Sequence, residues 1–340
     1  MNGALGQDAA REDMDVTTGS ANANGSTDPH PIAEGSWALT LAMPDHVRPR
    51  SSRCYLLVDA HGAIHVVDPG YALDANLAAI SNAANHIGGS VSRIRSIIVT
   101  HFHGDHLGLA MRLRTATGAP ILVHEREAAA IGWLNDTEVM SDQLAVQVRA
   151  WGLPEELVDE MRTASVPALA GRHIVVDGVV RDGDTLDIPG RRIRVIHTPG
   201  HTTGHICLHD EKQSRIYTGD HILQATYPGI GLGAPSDENP LVEYLSSLDR
   251  MAEFEDSEVW PGHGEHFCGL RVRTDEVRRH HSRRTDEVAQ LLDGSPDATP
   301  WQLAPQLYWS GGWASLRGFA LASALRQTAM HIALAHSRSN

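Results

Sequence analysis

The chain has 340 residues, 41% of them hydrophobic, and a formal net charge of −14. That length allows one large domain with an appendage, and the acidic balance argues against a general binder of nucleic acid or anionic lipid. Three widely spaced cysteines, Cys54, Cys207 and Cys268, exclude a disulfide framework and a CxxC pair, so a reducing, cytoplasmic setting is expected.

In chain order, residues 1–30 are rich in Ala, Asn, Gly and Ser without periodicity and are expected to be a disordered tail. They lack a basic stretch followed by an apolar one, so no secretory leader is expected. No later run has the length of a membrane span. The segments "WALTLAM", "CYLLVDA" and "AIHVVDPG" are short, apolar and bounded by turn residues, the pattern of strands. Leu73, Leu77, Ile80 and Ala84 are spaced for a helix. "IRSIIVT" reads as a buried strand, "LGLAMRLRTATG" as a helix ending at Gly118, and "PILVH" as another strand. Residues 125–168 form a helical insert with Pro154 and Pro167 as stops. Strands then return at "HIVV", "RIRVIHT", "ICLHD", "RIYTGD" and "EVWPGHG", with a helix near Pro240–Phe254 before the last. This order predicts an α/β fold, an αββα sandwich of two stacked sheets covered by helices. It spans 31–267, and a helical appendage follows over 268–340. Thr299-Pro300-Trp301-Gln302 has the form of a helix start. The appendage holds nine Arg against six Asp and Glu; a solvated helix face is the simpler account, although a local anionic partner stays open.

The stretch "THFHGDHLG" places His101, His103, Asp105 and His106 on one turn behind an apolar strand. Residues two apart in an extended chain point the same way, so His101 and His103 can face one ion. Gly104 lets the backbone turn, and Asp105 and His106 then face a second. Later strand ends offer His201, Asp220 and His263, each beside a glycine. Imidazole and carboxylate suit zinc, iron or manganese.

"THFHGDHLG" resembles the HxHxDH signature of the metallo-β-lactamase fold superfamily, and "DPG" at 68–70, "TPGHTTGH", "TGDH" and "PGHG" match its other motifs in the same order. The resemblance covers roughly residues 35–267. It implies two divalent metal ions, with zinc the first expectation. His101, His103 and His201 would hold the first metal, and Asp105, His106 and His263 the second, with Asp220 bridging both. Asp68 matches the family's buried aspartate, which orients a histidine ligand from behind. His106 and a bridging Asp220 place the chain beside the glyoxalase II, lactonase, thioesterase and RNase Z branch. A histidine at 103, where the diiron flavoproteins carry Glu, weakens a redox reading.

The resemblance implies hydrolysis by a hydroxide shared between two cations, with Asp105 and Asp220 as catalytic groups that orient it. The expected substrate is a small acyl thioester, ester or lactone; a nuclease or phosphodiesterase is the alternative, and nucleic acid is disfavoured as a partner. A homodimer is left open. The insert, with Trp133, Met140, Trp151 and Met161, is expected to form an apolar lid, the alternative being helices packed on themselves. Tyr227, in the Gly-rich loop 222–238, is expected to border the site. The appendage resembles the winged-helix-like tail of one hydrolase branch. His280, His281, His331 and His336 are expected on its surface.

Overall fold

The computed structural model describes residues 28–45, 47–236 and 238–339, so the expected disordered tail falls, up to residue 27, outside the described residues. Strands β1 (His30–Ala33), β2 (Ser36–Ala42), β3 (Ser51–Val58), β4 (Ile64–Val67), β5 (Ile94–Ile98), β6 (Ile121–His124) and β7 (Gly178–Val180) lie side by side in that order. The first four pair antiparallel, and β4 through β7 pair parallel. A second sheet of β8 (Ile193–His197), β9 (Ile206–Asp210), β10 (Arg215–Gly219) and β11 (Glu258–Pro261) has the order β11-β10-β9-β8.

Side chains alternate across a strand, and here both faces are buried. In β3, Tyr55 and Leu57 point between the sheets while Cys54 and Leu56 point to the outer helices. In the second sheet Val195, Leu208, Tyr217 and Trp260 meet that inner layer, and Ile196, Cys207, Ile216 and Val259 face outward. Helices Asp74–Gly88 and Ala110–Thr117 cover the first sheet. Helices Pro240–Met251 and Leu270–Gly294 cover the second, with Met330 and Leu334 of the helix Gly318–Ser339. The result is an αββα sandwich.

The insert forms helices Glu125–Asn135, Thr137–Ala150 and Glu155–Ala164. Trp151 and Met161 pack against Ala322 and Leu325 of Gly318–Ser339, and Met140 enters the core under the first sheet. From residue 268 onward the described residues form helices and no strand.

Two expectations are corrected. "HIVV" at 173–176 is not a strand: His173 has φ 48° and both backbone groups of Ile174 bond the Asn135 side chain, so pairing begins only at Gly178. His281 and His331 are buried between helices Leu270–Gly294 and Gly318–Ser339, where the second bonds Thr285 Oγ1 at 2.8 Å. Helical periodicity leaves room for a histidine on an inner face, and burial keeps both imidazoles below their usual range. Among the described residues, no helix is long and apolar enough to cross a membrane.

Candidate metal centre

Five strands deliver chemistry to one rim of the sandwich. Asp68 follows β4, His101 to His106 follow β5, His201 follows β8, Asp220 follows β10 and His263 follows β11. All seven residues expected around the metals, and Asp68 behind them, come together there.

The ring nitrogens of His101, His103 and His201 form a triangle. His101 Nε2 is 3.0 Å from His103 Nδ1 and 3.2 Å from His201 Nε2, and the third side is 3.0 Å. The opposite nitrogens are all engaged. His103 Nε2 donates to the Leu232 carbonyl at 3.0 Å and His201 Nδ1 to the Gly229 carbonyl at 2.6 Å. His101 Nδ1 meets Thr100 Oγ1 at 3.0 Å, and that hydroxyl donates to Asp68 Oδ2 at 2.7 Å. Each outer bond fixes the tautomer, so three lone pairs point at one place.

A second group gathers Asp105, His106 and His263. His263 Nε2 lies 3.1 Å from Asp105 Oδ2 and 3.4 Å from His106 Nε2. Here too the outer nitrogens are spoken for: His106 Nδ1 donates to Asp68 Oδ2 at 2.8 Å and His263 Nδ1 to the Ser51 carbonyl at 2.7 Å. Asp68 therefore steadies His106 directly and His101 through Thr100. Its φ of 52° is a left-handed conformation uncommon outside glycine, held by these bonds and by its amide on the Ile98 carbonyl.

Asp220 stands between the two groups. Oδ1 is 3.4 Å from both His106 Nε2 and His263 Nε2, and Oδ2 is 3.8 Å from His201 Nε2. Oδ1 is buried and lacks a hydrogen-bond partner, a costly state for a carboxylate oxygen. A cluster of three ring nitrogens and a cluster of two ring nitrogens and a carboxylate, with an orphaned carboxylate oxygen between them, fit a pair of divalent ions.

The electrostatics separate the groups. Burial, then neighbouring imidazoles, hold His101 well below its usual value, and burial brings His201 to about 4. These rings are neutral and fit to ligate. Burial also opposes charge on His106 and His263, but Asp220, Asp68 and Asp105 outweigh it at the first, raising it well above its usual value, and Asp220 and Asp105 at the second, raising it to about 10. Asp220 is held well below the carboxylate range because His263 and His106 together overcome its burial.

Gly262 explains why a glycine precedes His263. A Cβ there would lie 2.6 Å from Asp220 Oδ1 and 2.6 Å from His106 Cε1. Gly262→Ala is expected to displace one of them and lower metal content per chain, read by elemental analysis, with far-UV circular dichroism unchanged.

Glu127 was not visible in the sequence. It is fully buried in the first turn of helix Glu125–Asn135. Oε1 accepts from the Phe102 amide at 2.7 Å, and Oε2 from the Gly204 amide at 2.9 Å. Thr202 Oγ1 bonds both oxygens, at 3.0 and 3.1 Å. One carboxylate thus ties the segment between His101 and His103 to the segment after His201. Gly204 permits this, since a Cβ there would sit 2.1 Å from the Glu127 nitrogen. Burial raises the carboxyl to about 7 against the pull of those bonds. A glutamate in the first turn of a helix is so ordinary that nothing in its spacing marks it as turned inward.

A cavity of about 450 Å³ opens on the centre, touching His103, Asp105, His201, Asp220 and His263. Its other walls include Met43, Phe102, Trp133, Leu144, Leu169 and Phe319. Of the four insert residues expected in a lid, Trp133 alone lines it. Tyr227 does not; its ring stacks on His280 with centroids 3.9 Å apart, while Leu232 and Gly233 of the same loop do line the cavity. His266, next to the centre in sequence, stacks on Trp260.

Residues 47–263 match the Metallo-beta-lactamase superfamily. A Beta-lactamase-like protein 2 homolog of Caenorhabditis elegans is 26% identical over 237 residues, 69% of this chain and 64% of that protein. A probable metallo-hydrolase of Bacillus subtilis is 25% identical over 261 residues, 72% of this chain and 77% of that one. Acyl-coenzyme A thioesterase MBLAC2 of Homo sapiens is 27% identical over 196 residues, 52% and 58% of the two chains. This chain therefore spans less than two thirds of the worm and human relatives. A metallo-beta-lactamase family protein of Thermus thermophilus has a TM-score of 0.71 at 27% identity, covering 91% of this chain and 95% of its own. A beta-lactamase domain protein of Burkholderia ambifaria, at 22% identity and TM-score 0.74 over 94% and 91%, shares the fold. With the match running over most of the sandwich, through His263 of the candidate centre, the chain belongs to the metallo-beta-lactamase superfamily.

Proposed function

We propose that this metal-dependent hydrolase cleaves a small acyl substrate, a thioester or ester, at a pair of divalent ions. His101, His103 and His201 would hold one ion, Asp105, His106 and His263 the other, and Asp220 would serve both. Bound there, the cations supply Lewis acidity at neutral pH. The chain supplies the rest. Asp220 Oδ1, buried without a donor, and Asp105 Oδ2 are the carboxylate oxygens positioned to orient an attacking water. Phe102, Trp133, Leu144 and Leu169 exclude bulk water and hold an apolar acyl group beside the centre.

The observation that carries this reading is the apolar cavity opening directly onto both ligand triads. A largely apolar wall, with Arg48 and Arg326 the arginines in its lining, suits an acyl chain better than a polyanionic backbone, which needs a longer basic track. Similarity to the acyl-coenzyme A thioesterase of Homo sapiens supports a thioester.

The test is a panel of acyl thioesters, esters, lactones and RNA, with metal analysis on the same sample. Turnover of acyl substrates that is lost on chelation and restored by zinc, manganese or iron is expected. Turnover of RNA alone, or acyl turnover that survives removal of the metal, would overturn it.

A further inference from the structure

The helix Gly318–Ser339 sends two side chains to the cavity, Phe319 and Arg326. They are seven residues apart, two turns along one face, so their backbones are separated by roughly 10 Å. Phe319 is 60% exposed, a large apolar ring left open at the cavity. Arg326 is different in kind.

Its guanidinium donates from Nη1 to the Gly231 carbonyl at 2.7 Å and from Nη2 to Gln147 Oε1 at 3.0 Å. It lies 5.9 Å from the centroid of the Trp151 ring. Nε is buried with no partner. Among the described residues no carboxylate forms an ion pair with it. Among the described residues, other well-buried arginines do have one: Arg191 pairs with Asp210, Arg273 with Glu276 and Arg284 with Glu287. Burial alone pulls the Arg326 guanidinium down to about 10, with no neighbouring acid to offset it, so it stays charged at neutral pH. An unpaired cation in such surroundings is expensive to keep and is a common mark of a ligand site.

Its position relates it to the centre. Arg326 holds the Gly231 carbonyl, while the next residue, Leu232, accepts from His103 and donates its amide to the His201 carbonyl. The guanidinium is therefore one residue along the loop from the first histidine triad. Each terminal nitrogen keeps a second N–H beyond its bond to Gly231 or Gln147, and such donors beside an apolar wall match a carboxylate or phosphate at one end of an otherwise apolar molecule.

We propose that Arg326 is a specificity-determining residue that binds an anionic oxygen group of the substrate, so that the preferred acyl substrate is an amphipathic anion and not a neutral ester. This rests on the hydrolytic reading above. The anion can sit at the far end of the acyl chain, as in a half-ester of a dicarboxylic acid, or in the leaving group, as a phosphate.

The experiment uses the metal-loaded full chain, its Arg326→Gln and Arg326→Lys variants, and three probes of equal chain length. These are the p-nitrophenyl half-ester of octanedioic acid, the same ester with its free carboxyl methylated, and octanoyl-coenzyme A. Binding of octyl phosphate and of octanol is followed in parallel by calorimetry, independently of turnover. Arg326→Gln is expected to raise KM for an anionic substrate roughly tenfold to a hundredfold, the range of a charged hydrogen bond. kcat and the methylated ester should be changed far less, and Arg326→Lys should recover part of the loss. Loss on the half-ester places the anion on the acyl chain; loss on octanoyl-coenzyme A places it in the leaving group. Octyl phosphate should bind more weakly to the Gln variant and octanol equally to both.

Equal losses on charged and neutral substrates, or a fall in metal content, would make Arg326 a support for the 229–233 loop and overturn the proposal. So would octyl phosphate affinity unchanged by Arg326→Gln. Arg326-dependent binding without hydrolysis of any probe would instead remove the hydrolytic reading and leave the anion site standing.

Discussion

Asp220→Asn is expected to lower hydrolysis on the order of 1,000-fold, the scale of losing several kcal/mol of charge stabilisation. The reason lies in where its oxygens sit. Oδ1 is equidistant, at 3.4 Å, from His106 and His263, and Oδ2 reaches toward His201, so a single carboxylate belongs to both ligand groups. The amide preserves the shape but offers a neutral oxygen and an N–H₂ donor. That donor would face ring nitrogens that must present lone pairs. Elemental analysis of the purified variant is expected to show fewer ions per chain than wild type, with the thermal transition shifted less than the activity. Wild-type turnover in the variant would exclude Asp220 from the centre.

The second large effect is on stability. Glu127→Ala is expected to cost about 2–5 kcal/mol, because it strands the buried amides of Phe102 and Gly204 and the Thr202 hydroxyl together. Urea titration measures it. Glu127→Gln keeps the volume but turns an N–H₂ toward one of those amides, so it should recover only part of the loss. The pH dependence has a definite sign. The carboxyl sits at about 7 in the fold against 4.5 as its ordinary value, so its protonated form favours the folded state. That contribution is complete below about 4.5 and fades as pH climbs through about 7. The deficit of Glu127→Ala relative to wild type is therefore expected to be larger at pH 5 than at pH 8. A deficit below about 0.5 kcal/mol at both would mean that the carboxylate does not brace the two segments.

Much of this is legible in the amino-acid sequence. Short apolar strands followed by His or Asp close to a glycine locate the rim where the chemistry gathers. The crowding of His101, His103, Asp105 and His106 on one turn has few structural explanations besides metal. The residues that sequence did not reveal share a property: their role depends on a partner far away in the chain. Glu127 reaches Thr202 and Gly204, and Arg326 reaches Gly231. His281 and His331 meet only because two long helices pack face to face. The strand expected at 173–176 failed for the converse reason, since the Asn135 side chain takes the backbone bonds that a neighbouring strand would have used. The insert is likewise divided by packing. Trp133 faces the cavity while Trp151 and Met161 face the C-terminal helix, a division that helical periodicity alone does not assign.

Anomalous diffraction from crystals grown with zinc tests the central claim most directly. Two peaks are predicted, one ringed by His101, His103 and His201 and the other by Asp105, His106 and His263, with Asp220 against both. A single peak, or zinc bound away from these side chains, would contradict it.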